Sequence, residues 1–311
     1  MKVVRVHGFG EPVHADDVPE PQAGPGEVVL QLELIGVNPL DIWVTKGTVA
    51  GGSQPLPFIP GVEGVGSVNG RRYLVRPHGA GTQRDGLYAE RTVVAESDLL
   101  PLPAGVDPAQ AAGLPVVGAT AWALVYDVTG VTAQDRVIVL GAAGGVGSIL
   151  VQLAKARGAV VWGQTANRAK AEAIRAAGAD QAVVAEAGDL AAKLAELRPT
   201  VAFDPLAGQF TPALLEALQP HGRLALFGAS AGPEATIDLR ALYRKAIQLL
   251  SYSGTIEPPE RVADSLKAAL GELAAGRFRV PIDEVLPLEQ AAEAHRRILD
   301  REVRGKLLLR P

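Results

Sequence analysis

Cysteine is absent from all 311 residues. Its absence excludes disulfides, iron–sulfur clusters, a cysteine nucleophile and any thiolate-ligated zinc. Histidine is scarce, and His7, His14, His78, His221 and His295 are scattered without ligand spacing, so structural or solvated roles are expected for them and no metal site. An excess of either charge is also missing. The balance of 30 Lys+Arg against 34 Asp+Glu leaves a net charge of −4, so no strongly basic surface is implied and nucleic acid is not expected as a partner. No uninterrupted apolar run approaches the roughly 18–20 residues that span a bilayer. Arg5 and His7 break the first apolar run before a signal-peptide core forms. A soluble, cytoplasmic protein with no membrane partner is expected.

At roughly 100–200 residues per domain, the length suggests two domains. The first hundred residues read as short strands, among them Glu27–Leu34, Arg72–Val75 and Ala89–Ala95. Gly and Pro clusters at 21–26, 51–57 and 79–86 punctuate them, a pattern of barrel-like β structure. Residues 108–112 and 118–128 look helical. From Arg136 to about Tyr252 the reading is strand, helix, strand, helix, with apolar strands at 136–140, 159–163, 181–185, 200–203 and 223–227. Such alternation predicts an α/β doubly wound parallel sheet with helices on both faces. The tail holds an amphipathic helix with Val262, Leu266, Ala269, Leu270 and Leu273 on one stripe. After it come a short extended segment at 281–286, a second helix and a strand at 306–309. The expected layout is a discontinuous β-rich domain, 1–118 with 258–311, around a Rossmann domain, 119–257.

The most informative segment is Val137-Ile-Val-Leu-Gly-Ala-Ala-Gly-Gly-Val-Gly147 followed by Ser148-Ile-Leu-Val-Gln-Leu-Ala-Lys155. A buried strand runs into a Gly-rich turn that opens directly into an amphipathic helix. Glycines allow close backbone approach to a pyrophosphate, and the free N–H groups of the first helical turn point at its charge. Gly144, Gly145, Val146 and Gly147 are the expected phosphate contacts. An NAD-preferring site carries an acidic residue about 20 residues further on, for the ribose 2′-OH. The window 163–171 has no acidic residue and offers Thr165, Asn167, Arg168 and Lys170 instead. Two cations there suit a 2′-phosphate, so NADPH is the expected cofactor.

With these segments in hand, the chain resembles the quinone oxidoreductase (zeta-crystallin-like) branch of the medium-chain dehydrogenase/reductase superfamily. The carrying segments are Gly36-Val-Asn-Pro-Leu-Asp41, Pro60-Gly-Val-Glu-Gly-Val-Gly66, Thr120-Ala-Trp-Ala-Leu124, Ala142-Ala-Gly-Gly-Val-Gly147 and Gly305-Lys306. The resemblance implies a GroES-like β-rich barrel domain, a Rossmann domain, a cleft between them, and a homodimer through an edge of the Rossmann sheet. It implies that Asn38, Thr120 and Phe227-Gly228-Ala229-Ser230 lie near the nicotinamide and that Lys170 meets the 2′-phosphate. Zinc-dependent relatives carry Gly-His-Glu where this chain has Gly61-Val62-Glu63, so a zinc-free enzyme is expected. Two positions shortly after Asn38 depart from the family pattern, Trp43 and Thr45 standing where Tyr and Arg are common, and Ala185 stands where some relatives carry a tyrosine on the cofactor's adenosine side.

The implied activity is NADPH-dependent hydride transfer to a quinone or similar conjugated carbonyl, with enone or enoyl C=C reduction as the close alternative. Asn38, Asp41, Trp43 and Thr120 are expected to position substrate and nicotinamide, with no dedicated general acid. Two other classes stand beside this reading. Gly228-Ala229-Ser230-Ala231-Gly232 matches a Gly-x-Ser-x-Gly elbow that, with His295 and Asp238 or Asp283, would make a serine hydrolase. The second is a cofactor-binding protein without important turnover. A Tyr-x-x-x-Lys pair is absent at each of the five tyrosines.

Overall fold

A computed structural model describes residues 1–49 and 54–311. Part of the Gly/Pro cluster at 51–57, namely 51–53, lies outside the described residues. The chain forms two compact units. The first comprises Met1–Val116, Leu273–Ala275 and Arg279–Pro311; the second comprises Val117–Glu272 and Gly276–Phe278.

In the second unit, six parallel strands lie in the order Gln181–Val184, Val160–Thr165, Arg136–Val139, Val201–Asp204, Arg223–Leu226, Gln248–Ser251. The first strand in sequence is central, and the order reverses beside it, which is the topology of a dinucleotide-binding sheet. The central strands are continuously apolar because helices cover both faces. Ile138, Leu140, Ala202 and Leu224 pack with Leu190, Leu214 and Phe210 in one core. The sixth strand, Gln248–Ser251, is missing from the sequence-based reading. It is an edge strand and mostly exposed, so no apolar run marks it.

In the first unit, a seven-stranded sheet is built around one long strand, Glu27–Val37. Its first half pairs with Arg91–Ala95 and its last residues with Lys306–Arg310, while Glu63–Val68 lies along most of its length. The burial pattern follows the neighbours: alternating where one face meets solvent, then fully buried through Ile35, Gly36 and Val37. This strand delivers Val37 and Asn38 beside Glu63 and Lys306, which meet nowhere in sequence.

Two boundaries differ from the sequence-based expectation. The helix Pro259–Ala274, assigned there to the β-rich domain, belongs up to Glu272 to the second unit. An amphipathic stripe records that a helix is buried, not which core receives it. The helical segment at 118–128 is an α-helix, Pro115–Trp122, continuing as a π-helix, Ala123–Val128. Thr129 closes the wider turn, its N–H and its Oγ1 both donating to the Leu124 carbonyl at 3.1 and 2.6 Å.

Candidate active site

The Gly-rich turn of the second unit is held in a conformation only glycine satisfies at its two ends. Gly141 has φ +59°, and a Cβ on Gly147 would collide with the Gly141 carbonyl oxygen. The helix Gly145–Ala156 starts with Gly144 as its N-cap residue, and Ser148 N–H is the first to find an intrahelical acceptor, Gly144 O at 2.9 Å. The N–H groups of 145–147 therefore belong to the open first turn, where an anion is favoured.

One residue the sequence reading did not single out fixes this turn. Gln164, 1% exposed, accepts from Gly141 N–H on Oε1 (3.2 Å) and donates from Nε2 to Ala185 O (2.6 Å). Its own carbonyl accepts from Ala142 N–H at 3.0 Å. A lone polar residue inside the apolar run Val160-Val-Trp-Gly-Gln-Thr165 was the available signal.

After that strand the chain turns through Thr165 and Asn167. Thr165 Oγ1 accepts from Asn167 N–H (3.1 Å), and Asn167 Oδ1 accepts from Ala169 N–H (2.9 Å), capping the short 3₁₀ turn Arg168–Lys170. Arg168 is exposed there, whereas Lys170 is only 9% exposed. Just past the strand Arg223–Leu226, Phe227–Ser230 runs beside 204–207: Phe227 N–H donates to Asp204 O and Ser230 N–H to Pro205 O. A Cβ on Gly228 would sit 2.7 Å from Pro205 O, so the close approach requires glycine. Asp204 acts as a cap, accepting from Leu206 and Ala207 N–H (2.9 Å each) and from Thr211 Oγ1 (2.7 Å). Thr120 lies half-buried in the helix Pro115–Trp122.

The hydrolase alternative fails on geometry. No helix follows Ser230 until Leu239, so there is no nucleophile elbow. Asp238 caps the helix Leu239–Arg244, Asp283 pairs with Arg297, and His295 is buried against Tyr88.

In the first unit, a buried polar chain surrounds the start of the short helix Pro39–Thr45. Asn38 is 1% exposed and Asp41 fully buried. Lys306 Nζ donates to Val37 O (2.8 Å), Asn38 Oδ1 (2.7 Å) and Glu63 Oε1 (2.6 Å). Asn38 Nδ2 donates to the same Glu63 oxygen (2.9 Å), and Glu63 Oε2 accepts from Val116 N–H (2.7 Å). Glu63 has this room because residue 36 is glycine; a Cβ there would strike its carboxyl group.

On the other side, Asp41 Oδ2 accepts from Asn38 N–H (2.7 Å) and from the Tyr88 hydroxyl (3.3 Å), which is 3.2 Å from His295 Nε2. A consistent proton order runs His295 Nε2–H to Tyr88 oxygen, and Tyr88 O–H to Asp41. Burial pushes the Asp41 carboxyl up to about 7 and the His295 imidazole down to about 4. Asp41 Oδ1 is buried without a partner, the expected place for its proton. Among the residues of this chain, the sequence reading named Asn38 and Asp41 for function, whereas Glu63 and Lys306 appeared only inside resemblance segments and Tyr88 not at all.

The two departures shortly after Asn38 have different surroundings. Trp43 is 39% exposed on the helix Pro39–Thr45, while Thr45 is buried with its hydroxyl on Ile42 O at 2.8 Å. Val62, at the position of the metal-binding histidine in zinc-dependent relatives, is 2% exposed and apolar. Among the described residues no group of three or more His, Asp or Glu side chains is arranged to hold a metal ion.

The family model described as "Zinc-binding dehydrogenase" matches residues 145–269, and that described as "Alcohol dehydrogenase GroES-like domain" matches residues 24–72. The quinone oxidoreductase of Pseudomonas aeruginosa is 29% identical, covering 98% of this chain and 97% of that protein. The solved quinone oxidoreductase of Thermus thermophilus, also determined as its NADPH complex, is 32% identical over the whole of both chains, with a TM-score of 0.88. A solved NAD-dependent alcohol dehydrogenase superposes with a TM-score of 0.90 at 29% identity over both whole chains. With its parallel dinucleotide-binding sheet and GroES-like unit, the chain belongs to the medium-chain dehydrogenase/reductase superfamily, in the quinone oxidoreductase branch.

Proposed function

We propose that the protein is an NADPH-dependent oxidoreductase, working without zinc, that transfers hydride to a quinone or similar conjugated carbonyl. The observation that carries the reading is the turn after Val160–Thr165: it has no carboxylate for a ribose 2′-OH and presents the exposed Arg168. Arg168 and Lys170 are assigned to the 2′-phosphate, with Thr165 and Asn167 shaping the turn. Gly144 to Gly147 take the pyrophosphate, and Phe227 to Ser230 with Thr120 take the nicotinamide. Asn38 is assigned to the acceptor's oxygen and the exposed Trp43 side chain to the acceptor's flat face. Asp41 positions Asn38 through its backbone N–H. The bound cofactor supplies the hydride; the chain binds, orients and excludes water.

The zinc-free reading is supported by the buried Val62 and by a Glu63 committed to Lys306 and Asn38. A homodimer through the edge strand Gln248–Ser251 is supported by its single sheet neighbour and by the exposed Leu249. Leu239 and Tyr243, each 69% exposed on the preceding helix, add apolar surface. No helix among the described residues is long and apolar enough to cross a membrane, and we assign the enzyme to the cytoplasm.

The test is NADPH consumption against naphthoquinone, phenanthrenequinone and a set of enones and enals. Turnover with the quinones is expected. Turnover confined to enones moves the assignment to C=C reduction, and no turnover with any acceptor rejects the enzymatic reading.

A further inference from the structure

We propose that Glu63 and Lys306 are positioning residues that fix the polarity of the Asn38 amide, so that it meets the acceptor's oxygen as a hydrogen-bond donor. The inference rests on the assignment of Asn38 to the acceptor. An Asn amide has two nearly isosteric ends, and only its partners decide which end faces where. Here the partners leave one solution.

Lys306 carries three donors and no acceptor, and all three are matched: Val37 O, Asn38 Oδ1 and Glu63 Oε1. Glu63 is anchored in turn, with Oε2 on Val116 N–H and Oε1 shared between Lys306 and Asn38 Nδ2. The amide closes a ring with the ion pair. Turning it over would set its NH₂ against an ammonium and its oxygen against a carboxylate, in a site where Glu63 is fully buried and Lys306 only 3% exposed. Asn38's backbone is pinned as well, by Asp41 Oδ2 at 2.7 Å. The second N–H of Asn38 Nδ2 is engaged by no described residue.

The chemistry needs a donor at this place. As hydride reaches the electrophilic carbon, the carbonyl π pair moves onto oxygen, NADPH becomes NADP⁺, and the oxygen then takes a proton from solvent. A preset N–H directed at that oxygen stabilises the developing charge without reorganising. A carbonyl oxygen in its place would repel it. The acceptor class this selects carries a carbonyl oxygen conjugated to the carbon that receives hydride.

The test uses the full-length double variant Glu63→Gln with Lys306→Met, which removes both charges together and leaves neither buried alone. Folding is checked by its thermal transition and by NADPH affinity. The double variant is expected to keep NADPH affinity within about twofold while kcat with a quinone falls about tenfold or more. Asn38→Ala is expected to lower kcat in the native background and to add little in the double variant, because the residues act as one unit. A folded double variant with native kcat, or an Asn38→Ala cost equal in both backgrounds, overturns the proposal.

A second measurement needs no turnover. The side-chain amide signals of Asn38, identified by their loss in Asn38→Ala, are expected to exchange with D₂O far more slowly than those of an exposed Asn in the native protein. Exchange as fast as that of an exposed amide overturns the clamp. Native protein inert toward every acceptor, with Asn38 still protected, would reject the reaction and leave the clamp standing.

Discussion

At the residue scale, Asp41 and His295 titrate in opposite senses within one hydrogen-bonded chain. Asp41, raised to about 7, holds its proton in the folded state between about pH 4 and 7, while the unfolded chain loses it there. Its contribution is fully present below its unfolded value and is lost as pH rises through about 7. His295, lowered to about 4, stays neutral when the unfolded chain protonates below about 6.5. Its contribution is present above about 6.5 and is lost as pH falls toward 4. Each effect is on the order of 3–4 kcal/mol, and between about pH 4 and 6.5 they largely cancel. Removing one partner exposes the other. In Asp41→Asn, stability relative to native protein should fall as pH drops from 6.5 toward 4; in His295→Gln it should fall as pH rises from 4 toward 7. Urea unfolding midpoints across this range measure both slopes, and parallel curves for all three proteins contradict the account.

Much of this residue-level chemistry was illegible beforehand for a physical reason. Asn38 and Asp41 stood out through a local motif, but Glu63, Tyr88, His295 and Lys306 come from four distant segments. Strand pairing brings Glu63 and Lys306 together, while Tyr88 arrives on a loop and His295 on the helix Ala291–Leu299, and neither register nor such packing has a signature in a single sequence. Lys306 in particular looks like an ordinary strand-end cation until its three acceptors are seen.

At the element scale, the strand–turn–helix at 136–156 was readable because buried strand, glycines and helix each have a local signal. Five sheet strands were placed on apolar runs. The exposed edge strand Gln248–Ser251 carries no such run, and the π-helix Ala123–Val128 follows from a closing bond by Thr129 rather than from periodicity. The glycine turn makes a sharp prediction. Gly147→Ala places a methyl against the Gly141 carbonyl, which is backbone and cannot swing away. NADPH binding, measured by fluorescence titration, should weaken about tenfold or more. Unchanged affinity would mean that this turn does not hold the pyrophosphate.

At the scale of the whole molecule, the discontinuous layout was legible as a change in pattern, from short strands to strand–helix alternation and back. The allocation of Pro259–Ala274 was not, because burial of its stripe is compatible with either core. The proposed homodimer has a definite mass. Light scattering should give twice the 32.3 kDa of one chain, and Leu249→Lys on the edge strand should lower it to one. A native mass of a single chain at micromolar concentration contradicts it.

The central claim is that this scaffold moves hydride from NADPH to a conjugated carbonyl without a metal. The most direct measurement is kcat/KM for NADPH and for NADH with naphthoquinone, on protein dialysed against a strong chelator, for the native chain and for Arg168→Ala. Full activity after chelation and a preference for NADPH are expected, with that preference lost by about tenfold or more in Arg168→Ala and little change for NADH. Activity that disappears with the chelator and returns with zinc, or equal use of both cofactors, would contradict it.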